Sequence, residues 1–286
     1  MEKITAAFVR ENLPSRDPYG HKGTFGKVLC ICGSVGYTGA PVFASRAAVR
    51  TGSGLVFLAV PQSIWQVVAV KSDEAMPFPM PDDGAGKLNA ACWQQIAARA
   101  DGCDAVLCGC GLGRSIGLDE LVRLALTLPK PLVLDADGIN AIATHIDVLQ
   151  NRRGQVTVLT PHEGEFLRMD GDLTVGRIDA AADFAEKYGV YLVLKGHETV
   201  VAAPDGRVMV NTTGNSGMAK GGSGDVLSGM VLSLLGQGME PFAACCSAVY
   251  LHGLAGDLAA AEKGERGMTP TDLLEQIPYA LVKTEK

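Results

Sequence analysis

The densest group of residues able to do chemistry lies at positions 214–225, GNSGMAKGGSGD, which runs into the apolar stretch VLSGMVLSLLGQG. Glycines let backbone N–H groups converge without Cβ obstruction, and a helix starting at the end of such a loop adds positive partial charge at its N-terminus. Together they make a site for a phosphoryl group or a developing anion. Asp225 stands where the loop feeds the helix, so its carboxylate is either a base beside that anion site or an ordinary N-cap. Val226, Leu227, Met230, Val231, Leu234 and Leu235 are predicted to share one face of this helix. The loop lacks the terminal Lys-Ser/Thr of a P-loop and the βαβ placement of G-x-G-x-x-G, so neither phosphate motif explains it.

A second set of candidates stands at the ends of apolar runs. Lys195, Gly196, His197, Glu198 and Thr199 follow VYLVL; His162, with Glu165 three residues on, follows VTVLT; Asp135, Asp137 and Asn140 follow PLVL. Gly111 and Gly113 close AVLCGCG, and Ala40 sits in GYTGA after KVLCICGS. Each has a plain alternative. Lys195 suits a solvated strand end, His162 a structural hydrogen bond, Gly111 and Gly113 tight turns, and Glu165 a helix-start carboxylate favoured by the dipole. The three residues of DADGIN either line a site or cap the next helix.

The elements that must carry these residues are legible from hydrophobic rhythm. The runs at 27–34, 54–61, 105–111, 131–138, 156–162 and 190–197 are continuous rather than alternating, as strands covered on both faces need to be, and their spacers are long enough for crossover helices. The class is therefore α/β. TVVAA and RVMVN flank Pro204, Asp205 and Gly206 as a hairpin, and the chain after Asp225 reads mostly helical. Without a repeat or a low-complexity linker, residues 1–286 are expected to form one domain.

Composition narrows the function. The chain is 47% hydrophobic with a net charge of −6, which argues against a nucleic-acid partner and requires any nucleotide to be held by local devices. The start of the chain lacks a secretory pattern, and the apolar segment 243–261 is interrupted by His252 and Asp257, so a cytoplasmic location without membrane contact is expected. Eight cysteines include the pairs Cys30/Cys32 and Cys108/Cys110, each predicted to share one strand face, and free thiols are expected.

The motif GNSGMAKGGSGDVLSGM resembles the signature of the ADP- or ATP-dependent NAD(P)H-hydrate dehydratases, and HKGTFGKVLCICGSVGYTGAPVFASRAAVRTGSGLV, LCGCGLG, LVLDADGIN, LTPHEGE and VLKGHET resemble that family's other motifs in the same order. The resemblance spans residues 15–275. It implies a ribokinase-like three-layer fold, with a mostly parallel central sheet and helices on both faces, as a stand-alone dehydratase domain without the epimerase domain that some members carry in front. It also implies dehydration of the S epimer of the hydrated cofactors NADHX and NADPHX: ADP or ATP, with Mg²⁺, phosphorylates the ring hydroxyl, and phosphate then leaves. By similarity, Asp225 is the base, and the substrate touches Ala40, Gly111, Gly113, His162 and Asp225. The nucleotide lies along Lys195, Gly196, His197, Glu198 and Thr199 and along Asn215, Ser216, Gly217, Met218, Ala219, Lys220, Gly221, Gly222, Ser223 and Gly224. Glu165 resembles a residue that organises magnesium water, and the family points to a homo-oligomer, a tetramer or dimer. Three positions depart from the pattern: Cys110 and Ser216 replace prolines, and Lys220 replaces a threonine, adding a cation that faces either the phosphates or water.

A kinase of a small alcohol, such as a vitamin precursor or a sugar, is the competing enzyme reading, because fold and loop are shared. A nucleotide sensor without catalysis is the competing non-enzyme reading, but it has no need of Asp225. Under the dehydratase reading, Asp225→Asn is expected to lose turnover with little change in melting temperature.

Overall fold

The computed structural model of the protein describes residues 2–286. One ten-stranded sheet runs through it, built from β1 (Glu2–Lys3), β2 (Lys27–Ile31), β3 (Leu55–Pro61), β4 (Met76–Met80), β5 (Ala105–Cys108), β6 (Leu132–Leu134), β7 (Thr157–Leu159), β8 (Tyr191–Leu194), β9 (Val200–Ala202) and β10 (Val208–Val210). Their spatial order is β1-β10-β9-β8-β7-β6-β5-β2-β3-β4. All six runs expected to be parallel strands pair in parallel with one another, and β9 and β10 form the expected antiparallel hairpin. Two strands have no clear signal in the sequence. β1 is two residues long, and β4, MPFPM, contains Pro77 and Pro79, which a strand tolerates at a sheet edge.

Helices cover both faces. α1 (Ala6–Asn12), α2 (Gly39–Arg50), α3 (Gln62–Val70), α9 (Ser223–Gly236), α10 (Pro241–Lys263) and α11 (Pro270–Glu285) supply one core, and α4 (Trp93–Asp101), α5 (Ile116–Ala125), α6 (Asp137–Ile142), α7 (Glu163–Arg168) and α8 (Arg177–Tyr188) the other. This is the expected three-layer arrangement. α9 is not amphipathic, however: Val226 to Gly236 are all buried, because α2 and α10 flank it while the sheet lies beneath. α2 and α9 approach so closely that a Cβ at Gly229 would lie 2.1 Å from the Ala44 carbonyl oxygen. α10 is the one helix among the described residues long and apolar enough to cross a membrane, and 78% of its apolar window is buried inside the protein. The apolar character of α9 and α10 is thus spent within the chain and calls for no partner.

The strand order reverses beside β2, since β3 and β4 continue to one side and β5 to β8 to the other. Loops leaving β2 and β5 meet at the carboxyl ends of the strands, the Gly33 N–H donating to the Cys110 carbonyl at 2.9 Å, beside the crevice in which ligands of open α/β sheets collect.

Candidate active site

The turn after β2 brings Ala40 into the first turn of α2, and the turn after β5 brings Gly111 against it; a Cβ on Gly111 would lie 2.8 Å from that of Ala40 and 2.9 Å from that of Tyr37. Gly111 and Gly113 have φ of +64° and +74°, so turn geometry by itself calls for glycine at both. Gly109, at φ +145°, passes so near the Asp135 carbonyl that a Cβ there would lie 1.8 Å from the oxygen. This bend turns Cys110 across the sheet. Cys108 and Cys110 therefore belong to opposite cores rather than one strand face, because the left-handed glycine between them breaks the two-residue alternation. Cys30 and Cys32 do share a face, and all eight cysteines are buried and unpaired.

The redirected Cys110 thiol donates to Asp135 Oδ2 at 3.6 Å, and the ligating atoms of Cys110, Asp135 and Asp225 all lie within 4.8 Å of one another. Asp225 is in the first turn of α9, whose N-cap is Gly222, so it is not the cap of that helix. Burial, the negative charge of Asp135 and, more weakly, Asp137 push the Asp225 carboxyl up to about 7, against the opposing pull of Cys110 and Lys195. That places a proton acceptor within a unit of neutrality, as general-base catalysis requires.

Lys195 follows β8, and its ammonium donates to Asp135 Oδ1 at 2.8 Å and stands 3.9 Å from Glu165 Oε2. It also lies over the start of α9, 3.4 Å from where a Cβ on Gly224 would be. Burial opposes its charge, but Asp135 and Glu165 outweigh burial and hold it protonated. Lys195 is not the solvated strand end that its position alone allowed. Burial likewise opposes charge on Asp135, and Lys195, Thr160 and Ser228 hold that carboxyl below the ordinary range.

The DADGIN residues separate cleanly. Asp135 faces this cluster, Asp137 accepts from the Gly113 N–H at 2.8 Å and so holds the turn after β5, and Asn140 accepts from Arg168 at 3.0 Å, away from the crevice. His162 is the N-cap of α7: its Nδ1 accepts from Glu165 N–H, while Glu165 Oε2 accepts from His162 N–H at 2.9 Å. The helix-start reading of Glu165 thus holds. Its buried carboxylate nevertheless turns toward Lys195, and the His162 side chain keeps 55% of its surface exposed at the crevice.

The glycine-rich loop is held from outside the motif. Asp257 on α10 accepts from the Gly214 N–H and from Asn215 Nδ2, both at 2.9 Å, and the Asn215 Oδ1 accepts from Gly217 N–H. Met218 packs on Gly256, Ser216 bonds Glu265, and His252 bonds the Ser223 carbonyl at 2.9 Å. Burial pushes His252 down to about 4, so it is neutral and donates from Nε2. The Lys220 ammonium is committed to the carbonyls of Glu265, Arg266 and Met268. The residue is exposed, and its ammonium ties the loop to the α10–α11 connection. Ala219, Gly221 and Gly222 complete the loop, with Gly222 at φ +106° packed on Phe43.

Beside Gly196, the Arg177 guanidinium bonds Glu163 and the Leu194 carbonyl. His197 and Glu198 line a cavity of about 380 Å³ together with Arg177, Ile178 and Val210, and Thr199 Oγ1 donates to the Gly196 carbonyl. Reasoning from sequence missed Thr160, Ser228, Arg177 and Asp257. Asp257 had a usable signal, a charge inside an otherwise apolar helix. Arg177 had none.

Residues 28–279 match the family model described as NAD(P)H-hydrate dehydratase. The chain belongs to that family. It is 34% identical over 278 residues to the ADP-dependent (S)-NAD(P)H-hydrate dehydratase of Bacillus subtilis, covering 96% of this chain and 95% of that one. The bifunctional NAD(P)H-hydrate repair enzyme of Moorella thermoacetica is 42% identical over 288 residues, covering 99% of this chain and 54% of that protein; the chain spans about half the length of such relatives. The crystal structure of the Bacillus subtilis ADP/ATP-dependent dehydratase, co-crystallised with ATP and Mg²⁺, superposes with a TM-score of 0.83 at 30% identity over 99% of both chains. The expected ribokinase-like architecture is therefore present.

Proposed function

We propose that residues 1–286 act as one dehydratase unit that returns the S epimer of hydrated NADH or NADPH to the reduced cofactor, with ADP or ATP as phosphoryl donor. The observation that carries this reading is the Asp225 carboxylate, pushed up to about 7, in the first turn of α9 beside the Lys195 ammonium. In this arrangement Asp225 takes the proton of the ring hydroxyl as the phosphoryl group arrives. The N–H groups of the 221–224 turn and Lys195 balance the charge on the transferring oxygens. The ring oxygen bonds phosphorus as the donor's terminal phosphoanhydride bond breaks and AMP or ADP leaves; the C–O bond of the new ester then breaks as the ring nitrogen lone pair expels phosphate, and a neighbouring ring carbon gives a proton to solvent to restore the double bond.

In this reading the nucleotide lies along 195–199 and 215–224, with the cavity beside His197 and Glu198 able to receive its nucleoside, and the substrate lies against Ala40, Gly111, Gly113, His162 and Asp225. The buried Glu165 carboxylate is a hard oxygen donor facing Lys195, so Mg²⁺ would be held through water by Glu165 and would neutralise phosphate charge. A cytoplasmic homo-oligomer completes the proposal, and the exposed Tyr279 and Val282 on α11 offer it a contact.

The test is regeneration of NADH or NADPH from the hydrates, followed by absorbance, with ADP and with ATP. Vitamin-precursor alcohols and sugars run in parallel. A stable phosphorylated alcohol with no nicotinamide regenerated would replace this reading with a kinase, and light scattering that shows only monomer would remove the oligomer.

A further inference from the structure

Asp135 is a buried carboxylate with a full set of partners: Lys195 Nζ at 2.8 Å, Thr160 Oγ1 at 2.8 Å and the Cys110 thiol at 3.6 Å. It caps no helix, since the N-cap of α6 is Ala136. These three partners come from three places, and a fourth group stands behind them. Cys110 belongs to the turn after β5, Thr160 follows β7, Lys195 follows β8, and Ser228 on α9 stands 3.4 Å from Thr160 Oγ1. Asp225 lies in the same cluster, yet no ion pair to it forms among the described residues, although Lys195 is poised over its helix.

We propose that Asp135 is a positioning residue whose fixed negative charge claims the Lys195 ammonium, holding it over the start of α9 and denying it to Asp225 as an ion-pair partner. This rests on the reading of Asp225 as the base. A carboxylate paired directly with a buried lysine is a poor base, because the cation stabilises its ionised form. By taking Lys195 as its own partner, Asp135 leaves the cation close enough to meet phosphoryl oxygens while Asp225 keeps its appetite for a proton. Asp135 also faces Asp225 as a like charge, which acts in the same direction. The charged and titratable groups around the pair are Asp137 from the β6–α6 turn, Cys110 with Cys32 behind it, and Glu165 and His252 near Lys195. None of these displaces Lys195 from Asp135.

The test is the pH dependence of kcat/KM for the wild type, Asp135→Asn and Asp135→Glu. Asn keeps the shape and still accepts from Thr160 and Lys195, but it no longer binds the ammonium by charge. The acid limb of Asp135→Asn should move down by about one pH unit or more, the size of a close charge effect, and the high-pH plateau should fall. Asp135→Glu, which keeps the charge, should hold the limb near the wild-type position even if turnover drops. A merely structural role would lower turnover in both variants and leave both limbs in place, and that result overturns the proposal. Should Asp135→Asn fail to fold, carboxyl-carbon titration of the wild-type protein decides: Asp225 titrating below pH 5 means that it is already ion-paired. Asp225→Asn separates the two readings. If that variant still turns over, the base assignment falls and this proposal with it; if it is inactive and the Asp135→Asn limb is unmoved, this proposal alone falls.

Discussion

Exchange of Asp225 for asparagine should have opposite effects on activity and on stability. Loss of a general base is worth about 100-fold or more in turnover, and Asn, which accepts hydrogen bonds but not the substrate proton, offers no substitute. The stability effect follows from the environment of the carboxyl, which titrates near 7 in the folded protein against 3.8 for a free aspartate. A raised carboxyl means that the folded state holds the proton more tightly than the unfolded chain. Wild-type stability is therefore free of this penalty below about pH 4, falls as pH rises, and carries the full penalty above about pH 7. At about 1.4 kcal/mol per pH unit, the ceiling is about 4 kcal/mol. Asn avoids that ionisation, so the variant should gain on the wild type steadily from pH 4 to 8. The structure thus revises the sequence-based expectation of an unchanged melting temperature, because Asp225 is more deeply set than a helix-start residue at the surface.

Denaturant unfolding of both proteins across that pH range, alongside the nicotinamide absorbance assay, reads the two effects separately. Wild-type kcat/KM should fall with an acid limb near pH 7, reaching about one tenth of its plateau at pH 6. Near-native turnover in Asp225→Asn would refute the base, and a stability difference that stays flat with pH would refute the raised carboxyl.

Lys195→Met leaves Asp135 as an unpaired buried charge and should lower stability by about 3–5 kcal/mol while raising the KM for nucleotide; a stable variant with unchanged KM would remove both roles. Lys220→Thr should lose about 1 kcal/mol of stability, the scale of a hydrogen-bonded tie, and leave the nucleotide Kd within about twofold, whereas a much weaker Kd by calorimetry would bring its ammonium to the phosphates. The Cys110 thiol lowers the Asp225 carboxyl, so Cys110→Ala should move the acid limb of kcat/KM upward, and a limb that stays or falls would contradict that contact. Burial pushes Cys103 to about 11 and Cys108 to about 12, so native protein should react with thiol reagents near neutral pH far more slowly than unfolded protein.

The sequence by itself determined the class, the strands and the walls of the site. Short continuous apolar runs separated by helix-length spacers read as strands covered on both faces, and the residues that end them, Gly111, His162 and Lys195, then lie at one edge of the sheet; the glycine-rich loop nominated Asp225 and the family resemblance Ala40, all without knowledge of their distances. β4 escaped because its prolines contradict a strand signal that matters only away from an edge. The one-face reading of α9 failed because periodicity cannot tell a helix with one buried face from a helix buried on all sides. Tertiary structure alone decided which way side chains turn. Gly109 swings Cys110 to the opposite core, Lys220 reaches the α10–α11 connection, and Lys195 chooses Asp135 over Asp225. These outcomes depend on groups 25 to 60 residues apart in the chain, as Cys110, Lys195 and Asp135 are, and local spacing carries no information about which of several charges a buried ammonium will meet.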